Sequence, residues 1–153
     1  MSDSATQRFL DPRNCYPRPP FKSQEQSLPG QENRMEPRPD HGEISYRGYG
    51  RLTDKVALVT GGDSGIGMAV ALAYAREGAD IVFSYLSEEA DARETERLVK
   101  EAGRKVMAIR MDQSDNRRAC DQVVEKCIEE FGRLDILVNN AAFQQTYPSI
   151  QDI

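Results

Sequence analysis

Residues 60–67 read T-G-G-D-S-G-I-G and lie between a short apolar run and an amphipathic stretch. The run Val56–Val59 has the length and branching of a buried parallel strand. Apolar residues then recur at helical spacing, at Ile66, Ala69, Val70 and Ala73. Glycines let the backbone approach a pyrophosphate, and a helix N-terminus offers N–H groups and a favourable dipole to an anion. The order of strand, glycine-rich turn and helix therefore predicts a dinucleotide-binding turn.

The bulk composition excludes several classes of protein. The chain has 153 residues, enough for one domain with a modest core. A net charge of −5 and a sequence pI of about 5.0 argue against a nucleic-acid partner and an anionic membrane surface. No apolar stretch reaches the roughly 20 residues of a spanning helix, and the N-terminus has no secretory signal pattern. Three scattered cysteines do not form a disulfide framework, so the sequence predicts a cytoplasmic location.

The proline distribution divides the chain into two unequal parts. Seven of the eight prolines fall in the first 40 residues, which are poor in aliphatic side chains. We expect residues 1–50 to form an extended arm, because such a segment alone buries too little surface to offset its ordering entropy. The string C-Y-P-R-P-P-F at 15–21 fits either a polyproline ligand for an aromatic groove or an arm packed on its own domain or a neighbouring subunit. The second interpretation is favoured.

Residues 51–153 have the composition of a globular α/β unit. Four predicted strands are Val56–Thr60, Ile81–Tyr85, Val106–Ile109 and Leu134–Val138. Three predicted helices between them are Gly65–Glu77, Glu88–Ala102 and Asn116–Phe131. Gly78, Gly103 and Gly132 are predicted to end these helices. The alternation predicts a doubly wound parallel sheet with helices on both faces.

The third predicted helix carries a single apolar stripe. Its members are Ala119, Cys120, Val123, Val124, Cys127, Ile128 and Phe131. Cys120 and Cys127 lie two turns apart on this stripe, which predicts small core side chains for both. Two sulfurs so far apart on one straight helix are badly placed to share a metal ion.

Three further features accompany the glycine-rich turn. Asp112 follows the third strand in R-M-D-Q-S-D, the fourth strand runs directly into N-N-A-A at 139–142, and the preceding helix ends in F-G-R-L-D-I-L-V. With these motifs in this order, residues 51–153 resemble the short-chain dehydrogenase/reductase family. The leader M-E-P-R-P-D-H-G-E with Y-R-G-Y-G-R-L resembles that of the glucose/ribitol dehydrogenase-like and general-stress aldehyde reductase subgroup.

The resemblance implies an NAD(P)-binding Rossmann-type fold and roles for matching positions. Gly61, Gly65 and Gly67 would form the phosphate turn, with Ser64 and Ile66 near the pyrophosphate. Asp112 would accept a hydrogen bond from the adenine amino group, with Gln113 beside it. Asn139 and Ala141 would lie along the adenosine ribose. Taken alone, Asp112 is better interpreted as a turn or helix-capping carboxylate and Asn139 as a strand-end turn residue, and the joint context favours the roles that the resemblance implies.

Two departures bear on the coenzyme. Ala142 stands where the family usually has glycine, a difference that the subgroup tolerates. At the end of the second strand, Ser84-Tyr85-Leu86, an acid would favour NAD and an arginine would favour NADP. Neither is present, and the absence of a carboxylate at that position favours NADP. Tyr85 is then expected beside the coenzyme.

The family's catalytic Ser and Tyr-x-x-x-Lys pattern is not found in the 153 residues. None of the six tyrosines has a lysine four positions later, and Tyr147 is followed by Pro148, which blocks a helix there. His41, the only histidine, is interpreted as a turn residue. We therefore expect the coenzyme-binding part of an oxidoreductase that acts on an alcohol, sugar alcohol or aldehyde, inactive by itself. A non-catalytic dinucleotide-binding or interaction module and one half of a split enzyme are the alternatives.

The resemblance implies the strand order 3-2-1-4 for these four strands, which leaves the fourth strand at a sheet edge. Leu134–Val138 is apolar, and an open row of N–H and C=O groups invites pairing with another chain. The helix that would cover it begins only near Ser149–Ile153. We therefore expect marginal stability or self-association through this edge.

Overall fold

A computed structural model of the chain describes residues 16–26, 31–112, 117–142 and 149–152. Residues 1–38 and 39–153 form two separate compact units. The described part of the first unit contains one short 3₁₀ turn, Glu32–Arg34, and an exposed ion pair between Lys22 and Glu36 at 3.1 Å. The described residues of the proline-rich string, 16–21, are exposed to solvent.

The second unit alternates strands and helices along the chain. Its elements are β1 (Val56–Thr60), α1 (Gly65–Arg76), β2 (Asp80–Tyr85), α2 (Glu89–Glu101), β3 (Val106–Arg110), α3 (Arg117–Phe131) and β4 (Ile136–Val138). The strands pair in parallel in the order β3-β2-β1-β4. The prediction of a doubly wound parallel sheet in this order is confirmed. A 3₁₀ turn, Ile150–Asp152, lies near the end of the chain.

The fourth strand is shorter than predicted because a side chain replaces its first backbone pairing. The Asp135 amide donates to the Val56 carbonyl oxygen at 2.9 Å, and the Val56 amide donates to the Asp135 carboxylate at 2.9 Å. Arg133 lies 2.5 Å from the same carboxylate and lowers its pKa below the usual range. Regular pairing of β4 with β1 therefore begins only at Ile136.

Alternation along the strands divides the core between the two faces of the sheet. Ala57 and Val59 on β1 pack with side chains of α1 and α2. Val56 and Leu58 point to the other face and pack with Val123 and Cys127 of α3. The helices therefore lie on both faces, as the βαβ alternation requires.

The three helices end where glycine was predicted to end them. Gly78, Gly103 and Gly132 follow α1, α2 and α3 with φ of 102°, 77° and 75°. A left-handed residue after the last turn is inexpensive for glycine because it has no Cβ. The predicted helix stops are confirmed.

The prediction for the α3 stripe is only half right. Val123 and Cys127 are buried, but Val124 and Ile128 are 37% and 44% exposed, and Cys120 is also exposed. The prediction that Cys120 is a core side chain is therefore wrong. The helix meets the sheet through the line of Val123 and Cys127, so the flank that carries Cys120 one turn before Val124 faces solvent.

Residues 39–51, the lead-in segment, hold the C-terminal end of α1. Arg76 donates to the carbonyl oxygens of Gly42 at 2.6 Å and Glu43 at 2.7 Å, and to that of Tyr46. Glu77, next to it, has a side chain only 4% exposed. These contacts place the lead-in segment with the α/β unit.

The Glu77 carboxylate accepts several hydrogen bonds from the lead-in segment. Its donors are the Arg51 guanidinium at 2.5 and 3.0 Å, the Tyr49 and Arg51 amides at 3.0 Å each, and the Tyr46 hydroxyl. Arg51 and then Tyr46 hold the pKa of Glu77 far below its usual range. The ionised carboxylate therefore joins the lead-in segment to the end of α1.

Candidate functional site

The turn between β1 and α1 needs glycine at several positions. Gly61 and Gly65 have φ of 62° and 52°, in the left-handed region. A Cβ on Gly67 would lie 1.9 Å from the Gly61 carbonyl oxygen, and a Cβ on Gly62 would lie 2.6 Å from the Cβ of Phe83. The turn is therefore pressed against its own first residue and against β2, and it forms a cradle that side chains would fill.

The N-terminus of α1 opens into this cradle. Ser64 is the N-cap in an extended conformation, and its side chain makes no capping hydrogen bond. Intrahelical bonding begins at Met68, whose amide donates to the Ser64 carbonyl oxygen at 3.1 Å. The first turn has no acidic residue, and Ile66 is 78% exposed at its start. These features make the helix end suitable for an anion.

Asn140 joins the glycine turn to the end of β4. Its side-chain amide donates to the carbonyl oxygens of Thr60 at 3.0 Å and Gly61 at 2.8 Å. The amides of Asn140 and Ala141 both donate to the Thr60 hydroxyl at 2.9 Å. A Cβ on Gly61 would lie 3.1 Å from the Cα of Ala141, so the two segments touch. This network fixes the cradle at the point where the strand order reverses.

Sequence reasoning missed Asn140 and Thr60 and selected Asn139, whose side chain is exposed. The signal was present as a threonine directly before the glycines and a paired asparagine directly after β4. Parallel strand ends lie side by side, so a hydroxyl on one and an amide on the next are within hydrogen-bonding reach.

The end of β2 borders the cradle on its other side. The Gly62 amide donates to the Ser84 carbonyl oxygen at 3.0 Å, and the Gly61 amide to the Ser84 hydroxyl at 3.4 Å. Tyr85 is buried, with its ring centroid 6.2 Å from that of Phe83. Burial raises the pKa of the Tyr85 hydroxyl, and its hydrogen bond with Glu89 adds to the shift. The Tyr85 ring therefore supports the floor of the site from within the core.

Asp63 introduces a buried carboxyl group into the turn. Its exposed fraction is 7%, and the Thr95 hydroxyl donates to its carbonyl oxygen at 3.0 Å, which ties the turn to α2. Burial raises the pKa of Asp63, and the charges of Glu88 and Asp91 add to the shift. The ionised form of the Asp63 carboxyl group is therefore disfavoured at this position.

The remaining predicted residues differ in what the structure describes. Asp112 is exposed two residues after β3, and Ala142 is exposed two residues after Asn140. Gln113 and Tyr147 lie outside the described residues. His41 is buried in a turn, where its Nδ1 lies 3.7 Å from the Glu43 carboxylate, far along the chain from the glycine turn.

The described residues contain neither a membrane-spanning helix nor a metal-binding cluster. No helix there has the length and apolar character needed to cross a membrane. Within the same part of the chain, no three histidine, cysteine or acidic side chains converge in a way that would hold a metal ion.

The sequence and the fold match known proteins. The model of the short chain dehydrogenase family matches residues 55–152. The uncharacterized oxidoreductase YhxD of Bacillus subtilis is 46% identical over 154 residues, covering 100% of this chain and 50% of that protein. NADPH-dependent aldehyde reductase 1, chloroplastic, of Arabidopsis thaliana is 40% identical, covering 86% and 48%. Glucose and ribitol dehydrogenase of Daucus carota is 41% identical, covering 88% and 47%. The chain spans about half the length of these relatives.

Two solved structures share the architecture. A short chain dehydrogenase from Burkholderia cenocepacia in complex with NADP superposes with a TM-score of 0.63 at 40% identity, covering 67% of this chain and 41% of that one. Carveol dehydrogenase from Mycobacterium avium in complex with NAD superposes with a TM-score of 0.62 at 31% identity, covering 69% and 42%. The sequence similarity and the observed strand order therefore indicate the same fold.

Proposed function

Because the chain belongs to the short chain dehydrogenase family, we propose that it forms the coenzyme-binding part of an NAD(P)-dependent oxidoreductase. The observation that carries the proposal is the glycine cradle at the N-terminus of α1. Its backbone comes so close to the ends of β1 and β4 that Cβ atoms on Gly61 and Gly67 would meet neighbouring atoms at 3.1 and 1.9 Å. A bare backbone in front of a helix N-terminus fits a pyrophosphate.

The chain's residues would bind and orient the coenzyme, whose nicotinamide supplies or accepts the hydride. The amides of Ile66 and Gly67 would donate to the pyrophosphate. Asp112 would accept from the adenine amino group, while Asn139 and Ala141 would line the adenosine ribose. Asn140 and Thr60 would hold the turn in place. Each role rests on a position at the carboxyl edge of the sheet, where ligands of open α/β sheets bind.

For the reaction, we propose NADPH as the preferred coenzyme and an alcohol, sugar alcohol or aldehyde as the substrate. Support comes from the relative that is named an NADPH-dependent aldehyde reductase, from the glucose and ribitol dehydrogenase, and from the NADP complex. The NAD complex of carveol dehydrogenase keeps NAD as the alternative coenzyme. The 153 residues contain no Tyr-x-x-x-Lys, so the chain by itself is expected to bind coenzyme without turnover.

Coenzyme titration of matched glycine variants tests the proposal. Gly67→Ala places a Cβ against the Gly61 carbonyl and the Asn140 amide, and we expect NADPH affinity to fall by about tenfold or more as amide contacts to the pyrophosphate are displaced. Gly103→Ala is the control, because its Cβ meets nothing within 4 Å and its φ of 77° makes it the more strained backbone position of the two. Affinity is measured from the enhancement of NADPH fluorescence, at a temperature where both variants are folded.

The outcomes separate the candidate functions. Binding by the parent chain and by Gly103→Ala, lost in Gly67→Ala, supports the cradle. No binding of NADPH or NADH by the folded parent chain contradicts the proposal and favours a non-coenzyme interaction module. Oxidation of NADPH with an aldehyde by the 153-residue chain would contradict the expectation that it lacks turnover. Intact-mass measurement of the endogenous protein, against 17.2 kDa for this chain, shows whether a longer enzyme carries these residues.

A further inference from the structure

Arg110 bridges the ends of β2 and β3 beside the cradle. The register pairs it with Tyr85, so the two residues lie next to each other at the carboxyl edge of the sheet. Its Nε donates to the Leu86 carbonyl oxygen at 3.2 Å, and its Nη1 lies 3.6 Å from the Glu89 carboxylate. The guanidinium therefore spans the turn that follows β2 and reaches the first residue of α2.

The positive charge of Arg110 lies among carboxylates at this edge of the sheet. The strand ends and following residues at the carboxyl edge are 60–67, 85–92, 110–112 and 138–142. Arg110 is the single basic residue in these described segments, which contain several carboxylates. The carboxylates close to the β2 end include Asp63, Glu88 and Glu89. Within these segments, an anionic group bound after β2 would meet the cation of Arg110 and several carboxylates, and the next basic residue along α2 is Arg93.

The position after β2 has a defined chemistry in dinucleotide-binding sheets. The adenosine ribose lies there, about 20 residues beyond the glycine turn, and an arginine nearby accommodates a 2′-phosphate. Tyr85 lies at that distance from Gly65. The guanidinium fork matches a phosphate bidentately, and Arg110 already contacts the backbone of this turn.

We propose that Arg110 recognises the 2′-phosphate of NADPH. The Glu89 carboxylate competes with this phosphate for the Arg110 guanidinium. This assignment rests on the proposed dinucleotide-binding function and adds its coenzyme specificity. Side chains of Arg110 and Glu89 are 62% and 48% exposed, so their ion pair is weak enough to be exchanged for a phosphate.

Two variants with opposite expected effects test the assignment. Arg110→Met keeps the apolar stem and removes the charge, and we expect NADPH affinity to fall about ten- to a hundredfold while NADH affinity stays within about twofold. Glu89→Gln removes the competing charge, and we expect NADPH affinity to rise severalfold with NADH again unchanged. Arg97→Met is the control, because Arg97 is exposed on α2 and pairs with Glu94 and Glu101.

Fluorescence titration with both coenzymes is combined with calorimetric titration of 2′,5′-ADP and 5′-AMP, which isolates the 2′-phosphate. Retained NADH binding shows that a variant is folded. Loss of NADPH and 2′,5′-ADP affinity in Arg110→Met alone supports the assignment. An equal loss for both coenzymes, or no loss, overturns it and leaves the proposed function standing, as does a parent chain that binds NADH and not NADPH. A parent chain that binds neither coenzyme overturns both.

Discussion

The two faces of the sheet differ in how completely they are closed. Under α1 and α2, four strand side chains are fully buried: Ala57, Val59, Ile81 and Phe83. On the α3 face, three large apolar side chains keep a third or more of their surface exposed: Val124, Ile128 and Leu137. Leu137 pairs in register with Leu58, which is 1% exposed one strand away. The same residue type is therefore core in β1 and surface in β4.

This difference shows which part of the unit can carry the proposed binding. The glycine cradle depends on close contacts between β1, β2 and α1. The face under α1 and α2, the closed face, supports these contacts through dense packing. The lead-in segment adds the Arg51–Glu77 ion pair at the far end of α1. The α3 face, the open face, carries exposed apolar side chains instead. The curated relatives are about twice as long as this chain. We expect further chain or a second copy to cover it.

The largest expected effect compares leucine truncation on the two faces. Leu72 of α1 is 1% exposed and packs with Met68 and Leu98. Leu72→Ala should lower the free energy of unfolding by about 2–5 kcal/mol, the cost of a buried cavity. Leu137→Ala should cost less than about 1 kcal/mol because half of that side chain is already in water. Urea unfolding followed by circular dichroism measures both, and equal losses would mean that the open face is covered in solution.

The second prediction concerns the anchor of the closed face at Glu77. The pKa of Glu77 in the folded chain lies below that of the unfolded chain, so its stabilisation is complete above about pH 5 and is lost as the pH falls through the carboxylate range. Glu77→Gln should therefore lower the Tm at pH 7, with a gap from the parent that shrinks below about pH 4. Glu94→Gln, which removes an exposed α2 ion pair, is the control. A gap that is constant with pH would contradict the prediction.

The third prediction addresses self-association through the edge of β4. Light scattering with size-exclusion chromatography should show concentration-dependent association of the parent chain. Leu137→Lys places a charge on the edge strand and should reduce it. Ile128→Lys alters the α3 flank without touching the edge and should leave association largely intact. The reverse order of effects would locate the contact on α3, and a monomer at all concentrations would contradict association.

The fourth prediction has the smallest expected effect and compares the rates at which the thiols of Cys120 and Cys127 are alkylated. Cys120 is exposed on the α3 flank, whereas Cys127 is buried and its burial raises the pKa of the thiol. Iodoacetamide at pH 8 should therefore alkylate Cys120 rapidly and Cys127 only after unfolding, because the thiolate is the reactive form. Peptide mass mapping distinguishes the two sites. Rapid labelling of Cys127 would show that α3 separates from the sheet on the same time scale.

The fold followed closely from local patterns. Strand runs of branched residues, apolar spacing in the helices and glycines with positive φ are properties of short segments, so element order and helix ends were predicted correctly. The strand order came from the family resemblance and is confirmed by the parallel register. The shorter β4 was not predictable in this way, because it depends on an Asp135 contact with Val56, 79 positions earlier.

In the candidate site, too, some features followed from local sequence patterns and others from contacts between residues distant in the sequence. By itself the sequence determined the glycine turn and its helix, because the glycine pattern and apolar periodicity are encoded within a few residues. The family came from the resemblance of the motifs in their order along the chain. The tertiary structure decided that Asn140 and Thr60 hold the turn, that Tyr85 supports it from the core, and that Arg110 reaches the end of β2. The hydrogen bonds of Arg110 to Leu86 and of Asn140 to Thr60 join residues that are 24 and 80 positions apart. Only the parallel sheet brings such strand ends together, since side-chain spacing along the chain does not report distance across it.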